Sequence, residues 1–131
     1  MTRPAILLDT HAFLWLLQAP ERLSADAAAA IRGAQLVFVS TATVLEAGTK
    51  YRIGKLPVVA PLVAAGWAEV LEHAGATPLA VSLADAALAG AHASAHRDPW
   101  DRLIAAQAVL RTLPVVSNDA ALDTFDVARI W

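Results

Sequence analysis

No cysteine occurs among the 131 residues. Disulfides, thiolate zinc sites, iron–sulfur clusters and cysteine nucleophiles are therefore excluded, and the chain suits a reducing cytoplasm. Charge is scarce as well. Only 17% of positions are charged and 57% are apolar, against typical values near ~25% and ~45–50%. That apolar surplus belongs either to a large core or to a surface that meets another protein. Long uncharged runs are missing: stretches such as 10–20, 33–45 and 56–68 fall short of the ~18–20 residues a membrane span needs. Pro57, Pro61 and Gly66 interrupt the last of them. No signal peptide is readable in Met1-Thr-Arg-Pro, which runs straight into a strand-like segment. The net charge of −2 argues against a broadly basic nucleic-acid coat. Neither a repeat nor a low-complexity linker divides the chain, so one domain over 1–131 is expected.

What the chain does have is a rhythm of short apolar runs. Residues 5–8, 36–39, 79–81, 115–116 and 127–130 are each too short for a helix, and several are Val, Ile or Leu on consecutive positions. Strands buried on both faces, as in a parallel sheet covered by helices, look like this. Between them lies helix punctuation. Ser24 precedes an alanine-rich stretch ending near Gly33, and residues 41–52 read as a helix closed by Gly54. Ser82-Leu-Ala-Asp85 reads as a capping box opening a helix towards His92. Asp98-Pro-Trp-Asp101 offers an N-cap, a proline at the first helical position and an acid in the first turn. A broken or paired short helix is expected over 57–75. Strands alternating with helices predict an α/β three-layer sandwich around a mostly parallel sheet.

The positions of the 12 acids carry the functional information. Asp9 follows the first strand, Ser40 ends the second, and Ser117-Asn-Asp119 follows Val115-Val116. Ligand sites of open parallel sheets lie beyond the carboxyl ends of the strands, so these residues share one edge. Glu46 and Asp101 join them if their helices pass or start at that edge. Carboxylates so gathered raise one another's pKa unless a cation neutralises them. Hard oxygen ligands suit Mg²⁺, with Mn²⁺ as a substitute, and phosphodiester hydrolysis is the natural reaction for that apparatus. Ser40 or Ser117 could hydrogen-bond a metal-bound water or a phosphate. Arg97 and Arg102 flank Asp98 and Asp101, and Lys50, Arg52 and Lys55 cluster, all as phosphate contacts or ordinary helix-end cations.

Leu7-Leu-Asp9-Thr-His11, the segment from Ser40 to Glu46, His96-Arg-Asp98-Pro-Trp-Asp101-Arg-Leu-Ile-Ala-Ala-Gln107 and Leu113-Pro-Val-Val-Ser-Asn-Asp119 together resemble PIN-domain proteins, specifically the VapC-type toxins of bacterial toxin–antitoxin pairs. The resemblance spans nearly the whole chain. It implies a metal-dependent endoribonuclease acting on RNA, a homodimer, silenced by a small cognate antitoxin that enters its groove. Carried over position by position, Asp9, Glu46 and Asp119 match the first, second and fourth metal-binding acids. Asp101 is preferred as the third, with Asp98 as the competing assignment. Asp123 is an extra acid beside Asp119.

Bland readings stand beside these. Asp98 fits an N-cap, Asp119 can cap a short helix over 120–125, and Asp85 is a capping-box acid. His92 and His96 lie four apart like a zinc pair, yet His96 sits at a helix boundary and no third ligand is evident, so zinc is not expected. His11 is expected to be structural, and Trp15 to pack in the core or at a dimer face. A phosphoacceptor domain would want a lysine late in the chain, and none follows Lys55. An aspartyl-phosphate phosphatase would want a second Asp two residues after Asp9, where His11 stands. A catalytically silent binding module remains open.

Overall fold

The computed structural model describes residues 4–131, so the reading of the first three residues lies outside the described ones. The chain alternates strand and helix: β1 (Ala5–Leu8), α1 (Thr10–Gln18), α2 (Ala25–Gly33), β2 (Leu36–Ser40), α3 (Thr41–Arg52), α4 (Ala60–Ala65), α5 (Trp67–His73), β3 (Ala76–Leu79), α6 (Leu83–Ala91), α7 (Pro99–Arg111), β4 (Val115–Val116) and β5 (Arg129–Ile130). The strands form one sheet in the order β3-β2-β1-β4-β5, and every neighbouring pair is parallel.

Side chains of a strand alternate between faces, and β1 divides accordingly. Ile6 and Leu8 enter a core shared with Phe13 and Leu14 of α1, Ala27 of α2 and Val70 and Leu71 of α5. Leu7 faces the opposite way, against Ile104, Ala105 and Ala108 of α7 and the aromatic ring of Phe125. Helices therefore cover both faces of the sheet, which is the expected three-layer α/β arrangement. No helix among the described residues is long and apolar enough to cross a membrane.

Local signals account for most element boundaries. Ser24, Ser40, Ser82 and Asp98 each cap the helix that follows them. The Ser82/Asp85 capping box is complete, with both reciprocal hydrogen bonds formed. Over 57–75 the chain makes a 3₁₀ turn (Pro57–Val59), then α4 and α5, separated by Gly66 at φ 90°, a conformation that favours glycine. Two strands differ from the reading above. The third runs over Ala76–Leu79 rather than 79–81, and it contains Pro78. Proline is tolerated there because β3 lies at the sheet edge and pairs only with β2. The last strand is limited to Arg129–Ile130, the other edge.

Candidate active site

The carboxyl edge of the sheet is where the acids gather. Pairing of β1 with β4 sets Leu8 level with Val116, so the residues that follow, Asp9 and Ser117, leave the sheet side by side. Asp9 is 4% exposed. One of its oxygens accepts the Ala12 N–H at 2.8 Å and so caps α1. Burial pushes the Asp9 carboxyl above its ordinary range, outweighing the Ser117 hydroxyl and the Ala12 N–H, and the charge of Asp119 adds to the rise.

Glu46 arrives from α3 and is 3% exposed. Its Oε1 accepts the Thr10 hydroxyl at 2.6 Å, and Thr10 in turn meets Thr43 at 3.1 Å. Its Oε2 pairs with the Lys50 ammonium one turn along the same helix. Burial works to lower the Lys50 pKa, but its bond to Glu46 and the charges of Glu46, Asp98 and Asp101 win, and the ammonium is held above its usual value.

The start of α7 brings two more acids, and they differ in what their oxygens do. Asp98 Oδ1 accepts the N–H groups of Trp100 at 2.9 Å and Asp101 at 3.2 Å, which is the work of an N-cap. Asp101 caps nothing and faces inward, its Oδ2 3.0 Å from His96 Nε2. Its carboxyl is pushed up to about 6 by burial first, then by Asp98, with Glu46 and Asp9 adding and His96 opposing. Asp119, with a side chain 44% exposed, places Oδ2 3.6 Å from the same histidine nitrogen. Its Oδ1 caps a 3₁₀ turn, Ala120–Thr124, through the Ala121 N–H at 3.0 Å.

The remaining expected contacts lie as follows. Ser40 is fully buried and its hydroxyl accepts the Ala42 N–H. Ser117 is fully buried and accepts the Asp119 N–H at 3.0 Å. Arg97 is exposed. Arg102 spends its guanidinium inside the protein, donating four hydrogen bonds to the carbonyls of Ala89, His92, Ser94 and His96. Asp123 forms an ion pair with Arg129, which also donates to the Ser117 carbonyl and thereby ties down the Asp119 loop.

Two participants escaped the sequence reading. Thr10, between Asp9 and His11, binds Glu46 and meets Thr43. His96 does not share a helix face with His92, because α6 ends at Ala91, before both. His92 Nδ1 accepts the Ser94 N–H at 2.9 Å and its ring lies 4.9 Å from that of Phe125. The usable signal was the position of His96 two residues before the N-cap, where its Nδ1 meets the Asp98 N–H at 3.4 Å.

The donor set fits a divalent cation. Asp9 and Asp101 are both driven towards neutrality by burial and by neighbouring acids, a cost that a cation removes. His96, Asp101 and Asp119 offer ligand atoms within 4.8 Å of one another. Beside the acids a cleft of about 280 Å³ is lined by Thr10, His11, Leu14, Glu46, Lys50, Lys55 and Leu56. A second of about 550 Å³ shares His11, Leu14 and Leu56 with it and reaches Trp15 and Arg22. The smaller cleft reaches Glu46 among the four acids, and the larger one continues from it along α1.

Comparison with known proteins agrees with the fold. The PIN domain family model matches residues 6–128. No curated protein matches the chain. Among solved structures, FitAcB from Neisseria gonorrhoeae is similar at 22% identity and a TM-score of 0.61, covering 95% of both chains. VapBC2 from Rickettsia felis, bound to a DNA fragment from its promoter, is similar at 12% identity and a TM-score of 0.66, covering 95% of this chain and 96% of that one. FitAB bound to the IR36 DNA fragment is similar at 21% identity and 0.57, covering 95% and 92%.

Proposed function

The chain belongs to the PIN domain family, and on that premise we propose that it is a metal-dependent endoribonuclease toxin of the VapC type, neutralised by a small cognate antitoxin. One observation carries the reading. Asp101 and Asp119 bring an oxygen to 3.0 and 3.6 Å, respectively, from one His96 nitrogen, beside buried Asp9 and Glu46, whose charges act on Asp101 as well. Asp9, Glu46, Asp101 and Asp119 would hold one or two divalent ions, Mg²⁺ or Mn²⁺. Asp101 is preferred to Asp98 because both helix N–H groups fall to Asp98. Bound there, the cation supplies charge that polarises a phosphoryl oxygen and lowers the pKa of water for attack on the phosphodiester.

The protein's own groups prepare that site. The Ala12 N–H fixes one Asp9 oxygen, and the Ser117 hydroxyl also bonds this carboxylate. Thr10 and Lys50 each hold one oxygen of Glu46 and so set its rotamer. Lys50 and Lys55 line the cleft where a phosphate backbone would enter. An antitoxin partner is supported by the likeness to the FitAB and VapBC2 structures and by apolar Leu56 and Val58 along the larger cleft. A homodimer accounts for further apolar surface, including Leu83 at 88% exposed. Action in the cytoplasm accords with the cysteine-free sequence.

Expression without antitoxin should arrest growth and leave new RNA ends at defined positions, read by sequencing 5′ ends. Asp9→Asn and Asp101→Asn should abolish both effects in folded protein. Undamaged RNA in cells carrying the wild-type chain would favour a silent binding module and contradict the nuclease reading.

A further inference from the structure

We propose that His96 is itself a ligand of the cation, so that the site is a mixed nitrogen–oxygen site preferring Mn²⁺ to Mg²⁺. The inference rests on the reading of Asp101 and Asp119 as metal-holding acids and adds to it a residue outside the acidic set. His96 Nε2 is a buried nitrogen with no hydrogen-bond partner among the described residues. It nevertheless lies 3.0 Å from Asp101 Oδ2 and 3.6 Å from Asp119 Oδ2. Close approach without hydrogen-bond alignment is what two donors aimed at a common third atom show. Neighbouring ligands of an octahedral ion with bonds of ~2.1 Å stand about 3 Å apart, which matches the spacing of the histidine and Asp101.

The imidazole is also held in place from behind. Arg102 takes the His96 carbonyl together with those of Ser94, His92 and Ala89, while the guanidinium stacks 5.6 Å over Phe125. Phe125 in turn lies 6.2 Å from the His96 ring. Arg102 is thus a positioning residue for the loop that presents the histidine. His92 is no alternative ligand, since its Nε2 looks instead towards exposed Asp126 at 3.8 Å. Ligation through Nε2 requires the proton on Nδ1, and this costs only the 3.4 Å contact from the Asp98 N–H, at the long limit of hydrogen bonding.

Metal preference follows from donor softness. Imidazole nitrogen suits transition ions, whereas Mg²⁺ takes oxygen ligands and keeps much of its water. Pulsed EPR of the full-length protein loaded with Mn²⁺ should show nitrogen-14 modulation from a coordinated imidazole. The modulation should disappear in His96→Ala and persist in His92→Ala. Calorimetric titration of His96→Ala should weaken Mn²⁺ binding roughly tenfold or more, and Mg²⁺ binding by less than roughly threefold. Mn²⁺ that binds in an Asp101-dependent way without nitrogen modulation, or modulation that survives His96→Ala, overturns the assignment of His96 and leaves the acidic site intact. Failure of wild type to bind Mn²⁺ at all overturns both. Nitrogen modulation in a protein that cleaves no RNA upholds His96 and contradicts only the nuclease reading. The decisive spectrum is that of wild type, so poor folding of a variant does not remove the test.

Discussion

Asp98 and Asp101 are three positions apart on the same helix start, yet their oxygens do different work. Asp98 satisfies helix N–H groups. Asp98→Ala should therefore cost about 1 kcal/mol of stability in chemical denaturation. Asp101→Asn should cost activity instead, and its effect on stability should depend on pH. An acid raised in the folded state to about 6 binds more protons folded than unfolded between roughly pH 4 and 6. Its contribution to stability is thus present at low pH and lost as pH rises through that window. Metal-free wild type should gain melting temperature relative to Asp101→Asn on acidification from pH 7 to 5. Equal shifts in the two proteins would contradict the assignment. The cap at Asp98 was legible in the sequence because its partners lie two and three residues away. Of the charges that shift Asp101, Asp98 and His96 are local, but its burial and the contributions of Glu46 and Asp9 come from other segments, and no local spacing announces those.

At the scale of elements, local chemistry again divides from what only folding brings together. The capping box of α6 was readable from Ser82 and Asp85, but its second link was not. Arg111, at the far end of α7, grips the fully buried Asp85 with two hydrogen bonds of 2.7 and 3.0 Å. Burial works to raise the Asp85 carboxyl, and Arg111 with Ser82 outweighs it, holding the group below its usual range. Removing the guanidinium leaves the Asp85 carboxylate with only its Ser82 bonds, so Arg111→Ala should lose about 1.5–3 kcal/mol in urea unfolding. A loss under 1 kcal/mol would show the pair to be dispensable. The same limit explains Arg102. Beside Asp101 in sequence it reads as a phosphate contact, while in space it binds the carbonyls of the preceding loop. Arg102→Lys should speed amide exchange of backbone flanking residues 92–98, with β1 unaffected. The misplaced third strand has a similar origin: Pro78 breaks the apolar pattern, and only the edge position of β3 makes it acceptable.

Over the whole molecule, the apolar surplus and the scarcity of charge resolve into two parts. Much of the surplus fills the two layers of core on either side of β1. The rest lies outside, among the described residues at Leu36, Leu45, Tyr51, Ile53, Val58, Leu83 and Leu110. If that surface serves self-association, sedimentation should give twice the chain mass of 13.8 kDa; a monomer at cellular concentration would contradict the homodimer. The scarce charge is concentrated where it has most effect, since a parallel sheet delivers the residues after β1 and β4 to one edge whatever their distance in sequence. That placement was legible from strand ends alone for Asp9 and Asp119. For Glu46 and Asp101 it depended on how α3 and α7 pass the edge, which is a tertiary fact.

The central claim is that this edge is a cation-requiring ribonuclease centre. Purified chain, stripped with EDTA and offered a defined RNA, tests it most directly. The account predicts no cleavage until Mg²⁺ or Mn²⁺ is restored, and none by Asp9→Asn under any metal. Cleavage that persists in EDTA or in Asp9→Asn, or an inert wild type with metal bound, would contradict it.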